Sequence, residues 1–285
     1  MSRPAEVRKT VSETYARAVV QPPGSGSCCG GPVPQGVAAT LAGYSREALA
    51  ALPPDAVRNS FGCGNPVALA EIREGETVLD LGSGAGIDLL LAAKLVGPRG
   101  KVIGVDMTPA MIERARANAA AAGLANVDVR EGIIEDLPVD SDSVDLVISN
   151  CVINLSPEKQ RVFAEIHRVL KVGGRFSISD IVAEPMPDWV LQLTVLYSAC
   201  ISGAIPEAEY LAGLRNAGLD DVEVRDRLVY EPAQLGALLD SELSGSCCCG
   251  SDALPKAEVD RVTRAVAGKV ASIRVVGRKP AEIIP

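Results

Sequence analysis

The cysteine and histidine content of this 285-residue chain limits the chemistry that it can carry out. The chain has 8 cysteines but 1 histidine, His167. This excludes catalysis by a Ser-His or Cys-His pair and most zinc-hydrolase schemes. Zinc sites usually place two cysteines a few residues apart, so cysteines that are directly adjacent in the chain fit a zinc site poorly. The cysteines form a pair, three single residues and a triplet: Cys28-Cys29, Cys63, Cys151, Cys200 and Cys247 to Cys249.

A glycine-rich turn behind an acidic residue is the second chemical signal. Asp80 is followed at alternate positions by Gly82, Gly84 and Gly86. Asp106 lies at the end of the next apolar run, where a carboxylate can accept hydrogen bonds from ribose hydroxyls. Dinucleotide sites space their glycines differently, and this loop suits a ligand with a positive end and no phosphate. The loop resembles motif I of class I methyltransferases, which implies binding of S-adenosylmethionine; a glycine turn required only for packing is the alternative.

Two further segments are candidates for the same site. In methyltransferases, the stretch that matches Glu131 to Asp136 meets the adenine, so Ile134 could pack on the ring and Glu135 could accept from the amino group. The alternative for Glu135 and Asp136 is a solvated loop. Asn150 ends the fourth predicted strand, where ligands of open parallel sheets bind.

The three single cysteines can converge above this site. Cys151 follows the fourth predicted strand directly, next to the expected methyl donor. Cys63 lies in a glycine-flanked loop before the first strand, and Cys200 lies after the fifth. Segments in these two positions commonly cover the cofactor cleft of this fold. The alternative for each cysteine is a small buried apolar residue.

Three thiolates beside a methyl donor favour a soft acceptor. Zinc would take a fourth ligand, and the chain has no histidine to spare for it. A trivalent metalloid takes three thiolates in a pyramid and keeps a lone pair, which can attack a sulfonium methyl group directly. Such a reaction requires no general base, in agreement with the scarcity of histidine.

At these positions the chain resembles arsenite S-adenosylmethionine methyltransferases. The resemblance runs from about Tyr44 to Ala204, and its specific part is Asn-Cys-Val-Ile-Asn-Leu-Ser-Pro at 150–157. The other matching segments are Cys63-Gly64, the Asp80 loop, Gly104 to Thr108 and Cys200 to Ala204.

The resemblance implies methylation of arsenite and methylarsenite, in arsenic detoxification, with glutathione or thioredoxin as the thiol reductant. It implies that As(III) is held by Cys63, Cys151 and Cys200, and that Met107 adjoins the cofactor beside Asp106. Family members often have an early cysteine, so Cys28 or Cys29 is a further candidate ligand, although the adjacent pair departs from the pattern. The triplet at 247–249 resembles the cysteine-rich tails of bacterial members. Its thiols could deliver As(III) to the core or be dispensable, and we expect them to be dispensable.

Strands and helices alternate in the segments that must position these residues. This alternation predicts a doubly wound, mostly parallel seven-stranded α/β sheet of the Rossmann-like, class I methyltransferase type, with an N-terminal helical cap and a helical roof. The predicted division is a cap with a cysteine-containing loop over 1–58, a cofactor-binding core over 59–185, and a roof with closing strands and a cysteine-rich insert over 186–285. Predicted strands are Thr77–Leu81, Lys101–Asp106, Val127–Arg130, Val144–Ser149, Arg175–Ile181, Val222–Arg225 and Ala271–Val276.

Composition restricts the partners and the location. The net charge is -8, no Lys/Arg cluster is present and aromatic residues make up 3%, which argue against a nucleic-acid partner. No export signal or membrane span is recognisable, so we expect a cytoplasmic protein with reduced thiols. Two other functions remain open: methylation of a small organic acceptor with structural cysteines, and sequestration of As(III) without catalysis.

Overall fold

A computed structural model of the chain describes residues 4–20, 42–191, 200–201, 203–230 and 256–281. Its strands are β1 (Thr77–Leu81), β2 (Lys101–Asp106), β3 (Val127–Glu131), β4 (Val144–Asn150), β5 (Leu170–Ala183), β6 (Asp220–Val229) and β7 (Val270–Arg278). Its helices are α1 (Pro4–Val20), α2 (Arg46–Ala50), α3 (Pro54–Arg58), α4 (Ile87–Val96), α5 (Pro109–Ala121), α6 (Lys159–Val169), α7 (Asp188–Leu191), α8 (Glu207–Asn216) and α9 (Lys256–Val266).

All seven strands form one sheet in the order β3-β2-β1-β4-β5-β7-β6. The first five strands pair in parallel, and β7 pairs antiparallel with both β5 and β6. The order reverses between β1 and β4, and ligands of open α/β sheets bind outside the carboxyl ends of the strands at such a point. The predicted seven-stranded, mostly parallel sheet is confirmed.

Both faces of the sheet are covered by helices, as a doubly wound fold requires. Apolar side chains of α4 and α5, such as Leu89 and Ile112, pack with Val102 and Leu146 on one face. On the other face, α6 and α8 supply a core that includes Phe163. Because both faces are buried, the strands read as almost continuous apolar runs.

Several predicted boundaries differ from the observed ones. The fifth strand starts at Leu170, before the predicted Arg175, because Leu170 already pairs with Val144 at the start of β4. Pro66–Leu69 forms a short 3₁₀ turn before β1. Much of the predicted helical roof, including residues 192–199, lies outside the described residues. Among the helices that are described, none has the length and apolar character required to cross a bilayer.

Candidate active site

A cavity lies at the carboxyl ends of β1, β2 and β4, beside α1. About 940 Å³ of space within it, which includes open solvent at its mouth, is not filled by protein atoms. Helix α1 contributes Arg8, Val11 and Tyr15 to its wall, and the ring of Tyr15 meets Phe61 edge to face. Every residue that was predicted to bind the cofactor lines this cavity: Asp80, Gly82, Gly84, Gly86, Asp106, Met107, Ile134, Glu135 and Asn150.

Backbone geometry explains the glycine-rich loop between β1 and α4. Gly82 has a φ of 62°, and a Cβ atom there would lie 2.3 Å from Cγ2 of Val152. Asp106 connects this loop to β2, because its carboxylate accepts from the Gly84 N–H at 2.9 Å and the Thr108 N–H at 2.8 Å. Burial raises the pKa of Asp106 against these hydrogen bonds, which lower it.

Buried acidic groups line the inner end of the cavity. Oδ2 of Asp80 and Oγ of Ser83 are buried and have no hydrogen-bond partner among the described residues. Burial raises the pKa of Asp80, and the charges of Asp88 and Asp106 raise it further. Burial also raises the pKa of Asp88 to about 6, against lowering hydrogen bonds from Tyr44 and Asn150. Two adjacent buried carboxyl groups with an unused oxygen suit a ligand with a positive charge.

Glu135 is a buried residue of the cavity wall, which excludes the solvated-loop alternative for this side chain. Its Oε1 accepts from the Ser156 hydroxyl at 2.7 Å and from Arg8 at 3.1 Å. The same Arg8 guanidinium donates to Glu158 at 3.0 Å, so α1 is anchored across the cavity. Asp136, in contrast, is exposed. Arg8 escaped the sequence analysis because α1 reads as an ordinary polar helix.

The single cysteines lie together in one buried cluster beside this cavity. Cys151 contributes to the cavity wall. Cys63 and Cys151 are joined by a disulfide with their Cα atoms 5.8 Å apart, so the expectation of reduced thiols is corrected for these two residues. Cys200 lies beside them, and its thiol donates to the Cys151 carbonyl at 2.8 Å. Spacing along the chain could not reveal this pairing, because only the folded chain brings Cys63 to Cys151.

Two cysteines of this cluster have a left-handed backbone. The φ angle is 58° at Cys151 and 59° at Cys200, and three other non-glycine residues among those described share this sign. A residue with a Cβ atom pays roughly 1–2 kcal/mol for such a conformation. Strained residues of this kind concentrate at functional sites, where the strain aims a side chain.

Asp180 is a buried neighbour of the cluster that the sequence analysis missed. One of its carboxylate oxygens lies within 4.8 Å of the sulfur atoms of Cys63 and Cys151. The Asn154 amide donates to Oδ1 of Asp180 at 2.8 Å, and the Tyr210 hydroxyl donates to Oδ2 at 3.0 Å. These two hydrogen bonds hold the carboxyl group in place. Burial raises the pKa of Asp180 to about 6. The signal in the sequence was an acidic residue near the carboxyl end of β5, within a stretch that is buried throughout.

Comparison with known proteins agrees with this geometry. A methyltransferase-domain family matches residues 72–231. The crystal structure of an arsenic(III) S-adenosylmethionine methyltransferase from Chlamydomonas reinhardtii is 33% identical, covers 88% of this chain and 75% of that chain, and superposes with a TM-score of 0.60. The chain belongs to the arsenite methyltransferase family. Arsenite methyltransferases of Halobacterium salinarum and mouse are 45% and 39% identical, over 78% and 57% of this chain.

The match to the arsenite methyltransferases does not extend over their whole length. The aligned region covers 59% of the Halobacterium salinarum protein and 45% of the mouse protein, so the chain spans about half their length. Cys28 and Cys29, named as further candidate ligands, lie outside the described residues, as does the triplet at 247–249.

Proposed function

We propose that this chain transfers the methyl group of S-adenosylmethionine to trivalent arsenic held by Cys63, Cys151 and Cys200. The observation that carries the proposal is the meeting of these cysteines in one buried cluster, with Cys151 in the wall of the acidic cavity. The three residues come from separate segments of the chain, and such a convergence of thiols suits a soft metalloid. The family of the chain supports the same acceptor.

The cavity residues fit S-adenosylmethionine. Its positive charges would meet Asp80, whose Oδ2 atom has no partner among the described residues. Asp106 would accept from ribose hydroxyls, and Ile134 and Glu135 would meet the adenine. When bound, S-adenosylmethionine supplies the methyl group, which the lone pair of arsenic accepts as the sulfonium C–S bond breaks.

The cysteines hold the acceptor and orient its lone pair. The Cys63–Cys151 disulfide must first open: two thiols of a reductant become one disulfide, and the two cysteines take up two electrons and two protons. Glutathione or thioredoxin would serve as this reductant. Each cysteine that then binds arsenite releases one water molecule, formed from its thiol proton and an arsenic-bound hydroxyl. No side chain has to remove a proton from the nucleophile, because the lone pair is already available.

A single incubation tests the proposal. The protein is mixed with arsenite, S-adenosylmethionine and glutathione, and the arsenic species are separated afterwards. Methylated arsenic should appear with the wild-type chain and be absent with Cys151→Ser. Cys249→Ser, in the triplet that is expected to be dispensable, is the matched thiol control. Cofactor consumption without arsenite would favour an organic acceptor, and arsenite binding without cofactor consumption would favour sequestration.

A further inference from the structure

Asn150 was expected to contact the cofactor, but its amide is occupied by the loop that carries Cys63. Its Oδ1 atom accepts from the backbone N–H groups of Cys63 at 3.1 Å and Gly64 at 3.2 Å. Its Nδ2 atom donates to the Gly64 carbonyl at 2.8 Å. One side chain at the end of β4 therefore makes three hydrogen bonds to a loop 86 to 87 positions earlier in the chain.

The other side of the amide is fixed by buried groups. Nδ2 lies 3.0 Å from Oδ2 of Asp88 and 3.0 Å from the Tyr44 hydroxyl. The Tyr44 hydroxyl donates in turn to Oδ1 of Asp88 at 2.6 Å. These contacts give the Asn150 amide one orientation, with its oxygen toward the loop N–H groups and its nitrogen toward the acceptors.

The loop approaches this amide so closely that the residue before Cys63 has no room for a side chain. A Cβ atom at Gly62 would lie 2.3 Å from Nδ2 of Asn150. On its other side, the loop is bound by the Ser272 hydroxyl of β7, which donates to the Cys63 carbonyl at 3.0 Å. The backbone of Cys63 is thus held from both sides, independently of its sulfur atom.

We propose that Asn150 is the positioning residue that keeps Cys63 beside Cys151 after the disulfide between them has opened. Arsenite needs three thiolates, and the covalent link that holds two of them together is lost at the moment when arsenite must bind. The hydrogen bonds of Asn150 to the loop persist after reduction, so the two sulfur atoms stay within reach of one arsenic atom. The effect expected on arsenite turnover rests on the proposed function, whereas the effect expected on the disulfide equilibrium does not.

The equilibrium between the Cys63–Cys151 disulfide and its dithiol reports only how close the two cysteines remain after reduction. Asn150→Ala is equilibrated with reduced and oxidised glutathione, and the fraction of the Cys63–Cys151 disulfide is measured by thiol labelling and mass spectrometry. The three loop hydrogen bonds stabilise both redox states, but without them the reduced loop can move away from Cys151, which lowers the effective concentration of one thiol at the other. The equilibrium should therefore shift toward the dithiol by about tenfold or more. The matched control is Asn126→Ala, which removes two amide–carbonyl bonds of 3.0 Å far from the cysteines. It should leave the equilibrium unchanged.

The turnover readout compares two substrates. Methylarsenite has two sites left for thiolates, so it should depend less on Cys63 than arsenite does. Asn150→Ala should therefore lower kcat/KM for arsenite at least about tenfold more than for methylarsenite, with cofactor affinity measured in parallel. Gly62→Ala, which displaces the amide by contact, is the second variant in case Asn150→Ala does not fold, and it should show the same selective loss.

The outcomes separate the two proposals. A shifted disulfide equilibrium with selective loss of arsenite turnover supports the inference. An unchanged equilibrium, or an equal loss on both substrates, overturns it and leaves Asn150 as a cofactor contact or a packing residue. Absence of methylated arsenic from the wild-type chain would refute the proposed function, while the disulfide equilibrium would still decide the role of Asn150.

Discussion

Replacement of Asp106 by alanine should weaken binding of S-adenosylmethionine without affecting the capture of arsenic. One carboxylate oxygen accepts from the Gly84 N–H and the other from the Thr108 N–H, and the residue lines the cavity in which a ribose hydroxyl would donate to it. A hydrogen bond to a charged group contributes about 1.5–3 kcal/mol. Loss of one ribose contact therefore corresponds to an affinity decrease of roughly 10- to 150-fold.

The same change should also lower the free energy of unfolding, but by less than two full hydrogen bonds. The Asp106 side chain is partly exposed to the cavity, so water can replace it at the freed N–H groups. Removal of the carboxylate also relieves the desolvation that raises its pKa. We expect a loss of about 1–3 kcal/mol, and Asp106→Asn, which keeps one acceptor oxygen, should lie between alanine and wild type in both measurements.

Calorimetric titration with the cofactor and urea unfolding measure these two effects. Asp128→Ala is the matched control, since Asp128 is a carboxylate on the neighbouring strand β3 that pairs with Lys101 and Arg130 at the surface. It should leave the cofactor affinity unchanged, and binding of arsenite to the reduced protein should persist in both variants. An unaltered affinity in Asp106→Ala would remove Asp106 from the cofactor site and refute the assignment of the cavity.

Three other changes address the thiols and the charges. Each of the single changes Cys63→Ser, Cys151→Ser and Cys200→Ser should abolish arsenite methylation while cofactor binding persists. Of the three variants, Cys63→Ser alone should still methylate methylarsenite. Arsenic speciation measures both activities, and full arsenite turnover in any of the three variants would contradict the three-thiolate site. The simultaneous Cys→Ser change at 247–249 should preserve methylation in excess glutathione, a result that complete inactivity of a folded variant would overturn. Burial raises the pKa of Asp88 to about 6, so its carboxylate is neutralised as the pH falls through 6. Cofactor affinity measured by calorimetry should therefore fall by up to about tenfold per pH unit below that point in wild type, and it should fall less steeply in Asp88→Asn, where only the other buried carboxyl groups titrate.

The parallel core could be predicted because its signals are local. Apolar runs that end in Asp80 and Asp106, with glycines between, specify strands, turns and the edge of the sheet where a ligand binds. The place of β7 between β5 and β6 could not be predicted, since antiparallel pairing over this distance leaves no periodic pattern in the sequence.

In the candidate site, too, the local features could be predicted and the long-range contacts could not. The types and positions of the cavity residues were predictable, but the partners of Asn150 were not, because a loop far upstream occupies its amide. The bond between Cys63 and Cys151 was missed for the same reason, and so was the contact of Arg8 with Glu135, which crosses 127 positions of the chain. Such contacts depend on how the segments pack, which no single segment reveals.

The hydroxyl of Ser272 that binds the Cys63 carbonyl has a consequence for protein synthesis. The segments that line the cofactor cavity all leave the ribosome before β7, and domains tend to fold as the chain emerges. The loop of Cys63, however, obtains its second support from β7, the last strand described. A nascent chain can thus form its cofactor cavity before its cysteine loop is secured, and competence for arsenic should appear only after translation has passed Arg278.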